Sequence, residues 1–411
     1  MNKKSECCMS FYHTWKREKL RIIFLAFALS CTVIGTTYFW FRSVPQSVSA
    51  VTFRVNSAVD TVLAARKVAV NSSQDAVAFG DDETVNILIL GLDSRKEGRE
   101  QHCDAIHMVS INTQDWTVLM TSVPRGTYAY IPPGTYAKNE YYLANACAFA
   151  GLDYGVEQIE HVVGVKADYV VTAGFSQVLG ILRTLSLPTT ESLQWLRNRQ
   201  SYKLGDPQRS QNQAVFLKDV ALRLLDGDGI PDVVFHLLYS FVDTEMSEET
   251  AKALYDGLLL HSIHSRPSDI ALTMKPHYAV KDIHFDPEHS SEQIATLLAK
   301  LRGRLSSSDF SSRTLEDVQK DFIVYLENVL AGKEGSVEAV IDQQLWLQVE
   351  DDGVRESLHY RFVEVYATEI NDADHAAAVQ LIADYILEKQ TLGILVWETK
   401  GRELLEEVLR F

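Results

Sequence analysis

Between Ile22 and Phe41 the chain reads IIFLAFALSCTVIGTTYFWF, twenty residues without a charge. A helix of that length, at about 1.5 Å per residue, spans roughly 30 Å, the thickness of a bilayer core. The stretch constrains everything after it, because whatever follows an inserted span folds on the far side of a membrane. Lys16, Arg17, Lys19 and Arg21 precede it, and by the positive-inside rule they keep the N-terminus cytoplasmic. Tyr38, Phe39 and Trp40 then fall near the outer interface. A cleaved signal peptide is the competing reading. The apolar run is long for such a segment and no small-x-small site follows it, so an uncleaved anchor is the expectation.

Charge divides the chain at the same place. Residues 1–42 hold seven lysines and arginines against two glutamates, a net of +5, which leaves −21 on the rest of a chain whose total is −16. So acidic a body is a poor partner for nucleic acid. A length of 411 residues leaves room for two domains or one elaborated domain. The five cysteines fit no metal-ligand spacing. In this topology Cys7 and Cys8 are cytoplasmic, Cys31 lies in the bilayer, and only Cys103 and Cys147 are outside. An oxidising compartment permits those two to pair; two buried free thiols are the equal alternative.

The expected organisation is a basic cytoplasmic tail over 1–21, a transmembrane helix over 22–41 and a stalk or linker over 42–84. An α/β domain over 85–285 and a mostly helical region over 286–411 follow. VNILILGL, from Val85, is a continuous apolar run of the kind a strand buried on both faces shows. DAIHMVSIN and WTVLMTSVP are separated by the turn-like NTQD and predict a hairpin. LDYGVEQIEHVVG reads as a helix, ADYVVTAGF as a strand, and SQVLGILRTL as a helix capped by Ser176. DPQRSQNQAVFLKDVALRLLD reads as a long helix with Asp206 as N-cap and Pro207 at its first position. Ser247 caps a later helix and IALTMKP returns a strand to the sheet. Strands mixed with helices imply an α/β sandwich. Beyond 286 the patterns are amphipathic helices, with TLGILVWETK as a late strand.

The chemistry-bearing stretch is RNRQSYKLGDPQRSQNQ, from Arg197 to Gln213, with three arginines and a lysine against one acid. On a strand, Arg197 and Arg199 would share a face. Arg209 falls in the first turn of the long helix, and Gln213 follows at i+4 on the same face. Guanidinium forks beside a helix N-terminus make a site for phosphate or pyrophosphate. Asp93 ends the first buried strand and Asp104 opens the second. Two carboxylates near phosphates suit Mg²⁺ with several retained waters. Arg125, in SVPRGTY, follows another apolar strand.

Together these stretches resemble the LytR-CpsA-Psr (LCP) family. VNILILGLDSR, HCDAIHMVSIN, TVLMTSVPRGTY, LANACAFAG and LRNRQSYKLGDPQRSQNQ stand in the family's order and approximate spacing, with VDTEMS after the long helix. The resemblance covers about residues 85–283. It implies an α-β-α sandwich around a central mixed sheet, outside a single-pass cell membrane anchor. It also implies transfer of a glycopolymer, such as teichoic acid, capsule or arabinogalactan, from a polyprenyl-pyrophosphate carrier to peptidoglycan or another cell wall acceptor. A phosphodiester is formed, the lipid lies in an apolar tunnel under the sheet, and Mg²⁺ or Mn²⁺ assists. Asp93 and Asp104 match the family's metal-associated acids. Arg125 matches the arginine of its Pro-Arg-Asp motif, and Arg197 and Arg199 its R-x-R pair. Asp206, Arg209 and Gln213 match the acid, arginine and glutamine of its next motif.

Three positions depart from that pattern. The family has Arg-Ser-Asp where this chain has His102-Cys103-Asp104, Pro-Arg-Asp where it has Pro124-Arg125-Gly126, and a second arginine where it has Asn212. A titratable imidazole at His102, still a substrate-binding candidate, replaces a permanent cation. A charge-assisted contact is worth about 1.5–3 kcal/mol. Losing two slows chemistry by roughly 10²–10⁴-fold if they act only in the transition state. The alternatives to a working transferase are therefore a weakened protein that binds polyprenyl phosphates or regulates envelope assembly, and a polyprenyl pyrophosphatase.

Overall fold

The apolar run that opens the α/β region forms the centre of a sheet. In this computed structural model, which describes residues 57–71, 83–93, 101–132, 141–199, 203–286, 289, 292, 293, 296 and 315–410, helix α1 (Ser57–Asn71) is followed by strand β1 (Thr84–Leu92). Antiparallel β2 (Cys103–Asn112) and β3 (Val118–Ser122) form the expected hairpin. Its turn is shaped by the Asn112 carboxamide oxygen, which accepts from the backbone N–H groups of Gln114 (2.8 Å) and Asp115 (3.2 Å), a side-chain mimic of a backbone turn. Then come α2 (Leu143–Ala150), α3 (Leu152–Val163), β4 (Tyr169–Ala173), α4 (Phe175–Thr184), α5 (Thr189–Arg197), α6 (Asp206–Leu224), α7 (Asp232–Tyr239), the two-residue β5 (Asp243–Thr244), α8 (Glu248–Leu260) and β6 (Ile270–Met274). The strand order is β5-β4-β1-β2-β3-β6. β1 runs parallel to β4 and β3 parallel to β6, while the other pairs are antiparallel. The sheet is mixed and carries helices on both faces.

Period-2 alternation sorts the strand residues between those faces. Leu88, Leu90, Cys103, Ile106 and Met108 pack with α2 and α3. Val85, Ile87, Ile111 and Val118 pack with Leu225, Leu254 and Ile263 on the other side. Each fully buried side chain of this kind contributes about 1.5–3 kcal/mol.

The C-terminal part is helical throughout its described residues: α9 (Leu315–Leu330), α10 (Val337–Asp342), a 3-10 turn over Leu345–Gln348, α11 (Asp352–Asn371), α12 (His375–Thr391) and α13 (Leu395–Val408). It packs against the sheet domain. Leu237 and Phe241 share a core with Leu326, Trp346 and Phe362, and Ser57–Phe411 is one compact unit. Helix α1, within the expected stalk, docks Val59 and Leu63 among Val363, Ile382, Ile386 and Leu405.

Two local expectations fail. TLGILVWETK is not a strand: Leu392–Ile394 turn the chain from α12 into α13, where Gly401, Leu404, Leu405 and Val408 recur at helical spacing and bury together. A Cβ at Gly401 would lie 2.8 Å from the Ile386 side chain, so the helices meet there by close approach. Ser176 does not cap α4. The cap is Gly174, whose N–H donates to the Gln177 side chain at 3.1 Å, and the Ser176 hydroxyl accepts from Gln348 at 2.8 Å. Ser247 caps α8 as expected, accepting from the Thr250 N–H at 3.1 Å. The tail over 1–21 and the segment over 22–41 lie outside the described residues. Among the described residues no helix is long and apolar enough to cross a membrane.

Candidate active site

The site is built where β1 ends and β2 begins. There the register shifts, so that Gly91 pairs with Ala105 and Leu92 with Cys103, leaving Asp104 as the extra residue of a bulge. Cys103 therefore stays with the α2 side of the core, while Asp104, Ala105 and His107 line a cleft on the opposite face. Gly91 permits this packing, since a Cβ there would lie 2.9 Å from the Ala105 Cβ. Cys103 and Cys147 form a disulfide, Cα–Cα 5.9 Å, that ties the start of β2 to α2. This resolves the pairing that the sequence left open.

Four charged residues close into a circuit beside the bulge. The Arg125 guanidinium pairs with the Asp104 carboxylate. Arg209, in the first turn of α6, donates through Nη2 to the Asp104 backbone carbonyl at 3.1 Å and to the Asp206 carboxylate at 2.5 Å. The other Asp206 oxygen accepts from the Gly126 N–H at 3.1 Å. Asp206 is thus the first residue of α6, not its cap. The cap is Gly205, whose φ of +51° turns the chain into the helix in a conformation that favours glycine.

Arg209 is 4% exposed, and its Nε–H has no partner in the protein. Burial lowers its pKa. Asp206 and Asp104 oppose that shift, and the neighbouring Arg125 and Arg199 add to it. Three guanidiniums beside two carboxylates leave a net positive site, with the buried Arg209 Nε–H unspent. That is the electrostatic condition for anion binding.

Arg197 and Arg199 do not lie on a strand. Arg197 is the last residue of α5, whose Ser192 and Trp195 are buried, and its guanidinium sits 4.4 Å from the Phe175 ring centroid, within cation–π range. Arg199 is exposed two residues beyond. Gln213, one turn after Arg209, donates to the Leu196 carbonyl at 3.0 Å, and its Oε1 is buried without a partner.

Behind these groups lies a cavity of about 330 Å³. Asp104, Arg197, Arg209 and Gln213 line it beside an apolar wall that includes Ile89, Val171, Phe175, Leu182 and Leu217. His107 also lines it, and the sequence reading passed over this residue. The ring is 1% exposed and neither nitrogen has a hydrogen-bond partner. Burial pushes its pKa down to about 4. The Gln213 side chain opposes the shift without reaching standard hydrogen-bond geometry, and the charge of Arg209 adds to it. The signal available was a lone imidazole on the cleft-facing period of an apolar strand.

The remaining candidates stand apart. Asp93 follows β1, and its N–H donates to the His102 carbonyl at 3.1 Å. The His102 ring meets Phe149 edge-on at 5.7 Å. Asn212 is fully buried, and its carboxamide oxygen accepts from Gln208 at 3.0 Å, while Gln208 and Gln211 hold Lys281 and Asp282. Among the described residues no three His, Cys, Asp or Glu side chains gather as a metal site. Asp93 and Asp104 are a donor set suited to Mg²⁺ only where phosphate oxygens and water complete the shell.

Parts of the chain are similar to known proteins. Residues 49–182 match the profile of the LytR_cpsA_psr family. The chain is 30% identical over 108 residues to the polyisoprenyl-teichoic acid–peptidoglycan teichoic acid transferase TagT of Bacillus subtilis, covering 25% of this chain and 32% of that one. It is 25% identical over 155 residues to TagU of Bacillus licheniformis, a transferase of the same description, covering 38% and 49%. The chain thus spans about a third to a half of the length of these curated relatives. The crystal structure of B. subtilis TagV aligns with a TM-score of 0.40 at 17% identity, covering 54% of this chain and 98% of that one. Over residues 49–182 the chain is thus similar to the LytR-CpsA-Psr family.

Proposed function

We propose that this protein is a membrane-anchored phosphotransferase. It moves a glycopolymer from a polyprenyl-pyrophosphate carrier to a cell wall acceptor such as peptidoglycan. The observation that carries the reading is a net-positive guanidinium cluster at an apolar cavity, with the Arg209 Nε–H unspent. A pyrophosphate joined to a long hydrocarbon chain matches both halves. The named activities of the Bacillus relatives support the same substrate class.

In this reading an acceptor hydroxyl oxygen attacks the glycan-side phosphorus. The bond from that phosphorus to the bridging oxygen breaks, the glycan keeps a phosphodiester link to the acceptor, and the lipid leaves as its monophosphate. The hydroxyl proton passes to solvent or to the leaving phosphate. Arg125, Arg199 and Arg209 stabilise the charge that gathers on the transferred group and leaving phosphate. Arg197 and Gln213 border the cavity where the lipid begins. Asp93 and Asp104 would hold Mg²⁺ or Mn²⁺ together with substrate phosphates, and such a cation supplies further neutralisation of the diphosphate.

A specific observation favours a second reading, a lipid phosphate-binding protein with little turnover. Asp104 already spends its carboxylate on Arg125, and Gly126 contributes only an N–H. Full-length protein in detergent, incubated with a polyprenyl-diphosphate-linked glycan, peptidoglycan as acceptor and Mg²⁺, separates the readings. Acceptor-dependent release of lipid monophosphate, lost in Arg209→Lys, is the expected result. Release without acceptor indicates a pyrophosphatase. Binding without release under any divalent metal overturns the transferase reading.

A further inference from the structure

His107 stands one level below the arginines. On β2 it lies three residues inward from Asp104, and on α6 its neighbour Gln213 lies one turn inward from Arg209. Beyond it the cavity wall is apolar, with Phe216 and Leu217 the next residues of α6 to line it. A fully buried imidazole whose one nearby polar partner, the Gln213 side chain, falls short of standard hydrogen-bond geometry is left unsatisfied by the protein. A polar group in that state costs about 1–3 kcal/mol unless a ligand or water completes it.

Resting on the transferase reading, we propose that His107 binds the lipid-side phosphate, forming a hydrogen bond to the prenyl monophosphate that the transfer leaves behind. A prenyl diphosphate with its chain in the cavity has one polar group nearest the hydrocarbon, the phosphate esterified to the prenyl alcohol. That group comes to rest at the boundary between charged mouth and apolar interior, which is where His107 sits. When the bridging bond breaks, this phosphate becomes a monoester whose second ionisation falls near pH 6. A proton is then available to lie between its oxygen and a ring nitrogen. Gln213 braces the ring from one side: its amide nitrogen is committed to Leu196, which leaves Oε1 as an acceptor. The arginines hold charge at the mouth, and His107 recognises the leaving group at depth.

The test compares full-length wild type, His107→Leu and His107→Asn in detergent. The probes are geranylgeranyl phosphate, geranylgeraniol and inorganic phosphate, read by calorimetry and by ³¹P resonance. Expected is an affinity for geranylgeranyl phosphate at least about tenfold weaker in His107→Leu, partly recovered in His107→Asn, with geranylgeraniol unchanged within about twofold. Inorganic phosphate, with no chain to seat it at that depth, binds all three proteins alike. The bound ³¹P signal titrates at a different pH in wild type and His107→Leu. Equal affinity of His107→Leu and wild type for geranylgeranyl phosphate overturns the inference. Equal weakening for phosphate and alcohol overturns it too, since the ring would then only shape the cavity. Failure of wild type to bind any phosphorylated prenyl chain removes the transferase reading itself and this inference with it.

Discussion

Where α12 meets α7, α8 and α11, buried charges are completed by protein. Lys389, 1% exposed, lies 2.6 Å from Glu356 and 2.8 Å from Glu388, and donates to His359 Nδ1 at 3.1 Å. His359 stacks on Trp346, ring centroids 4.1 Å apart. His236 on α7 meets Glu248 at 3.0 Å and Asp384 of α12 at 3.9 Å, and Asp384 also takes Arg66 of α1 at 2.6 Å. In that seam the charged groups pair with one another, and the groups without a hydrogen bond include neutral ones, the Gln344 Oε1, the Trp346 Nε1–H and the Tyr385 hydroxyl. In the cleft, by contrast, the Arg209 Nε–H, Gln213 Oε1 and both His107 nitrogens are left over together around one cavity. Burial alone does not mark a functional charge. What separates the two regions is whether the protein itself completes the group.

Substitutions in the two regions should therefore separate stability from chemistry. The largest effect is expected from Lys389→Met, which strands Glu356 and Glu388. It should lower unfolding free energy by about 3–5 kcal/mol in denaturant titrations, with turnover at permissive temperature largely kept. Arg209→Lys should do the reverse. Transfer should fall roughly 10²–10³-fold, the usual loss for a donor aimed at developing charge, with a denaturation midpoint close to wild type. A Lys389 variant that loses activity in proportion to Arg209→Lys would break the distinction.

The two histidines sharpen it through opposite pH responses. Burial alone would lower the pKa of His236, but the nearby Asp384 carboxylate and the hydrogen-bonded Glu248 carboxylate outweigh burial and push it up to about 9. Its folded pKa is above the unfolded value near 6.5. Its stabilisation is therefore full below pH 6.5 and is lost as pH rises through about 9. His107, held down at about 4, behaves the other way. Its contribution is full above pH 6.5 and is lost as pH falls toward 4. Each is worth on the order of 3 kcal/mol by linkage. Stability–pH curves of His236→Gln and His107→Met should flatten on the alkaline and acid sides respectively.

The smallest expected effect comes from Gly126→Asp. A Cβ there would lie 3.6 Å from Asp206 Oδ2, so a new carboxylate crowds an existing one. A loss of about 0.5–1 kcal/mol at low ionic strength, relieved by Mg²⁺, should appear in melting curves. The like-charge contact is exposed and therefore modest.

Much of the sheet was legible because strands declare themselves by period. VNILILGL, the NTQD hairpin, ADYVVTAGF and IALTMKP all form strands where their apolar runs and turn residues put them. Three misreadings have local causes. LGILVW is short and apolar, which suits strand or helix equally, and only the later Leu404, Leu405 and Val408 decide for helix. Arg197 and Arg199 were read as a strand pair from spacing alone, whereas Ser192 and Trp195 carry a helical period up to Arg197. Ser176 is a good capping residue, and a partner 172 positions away, Gln348, takes its hydroxyl instead. Arg125, Asp104, Arg209 and Gln213 were found by motif, and the structure gathers them around one cleft. His107 was not, because a single polar residue at an apolar period looks like noise until the cavity behind it is seen.

The bulge at Asp104 has a consequence for how this chain can change over time. Because one unpaired residue sets which side of β2 every later side chain faces, the strand will accept exchanges of residue type far more readily than a change of length. Deleting one residue between Cys103 and His107 would restore plain alternation with Cys103 and His107 still on opposite faces, but it would remove the bulge that sets two consecutive residues, Asp104 and Ala105, on the cleft side. Lineages that keep this chemistry should therefore keep the count from Cys103 to His107 fixed even where they change the letters.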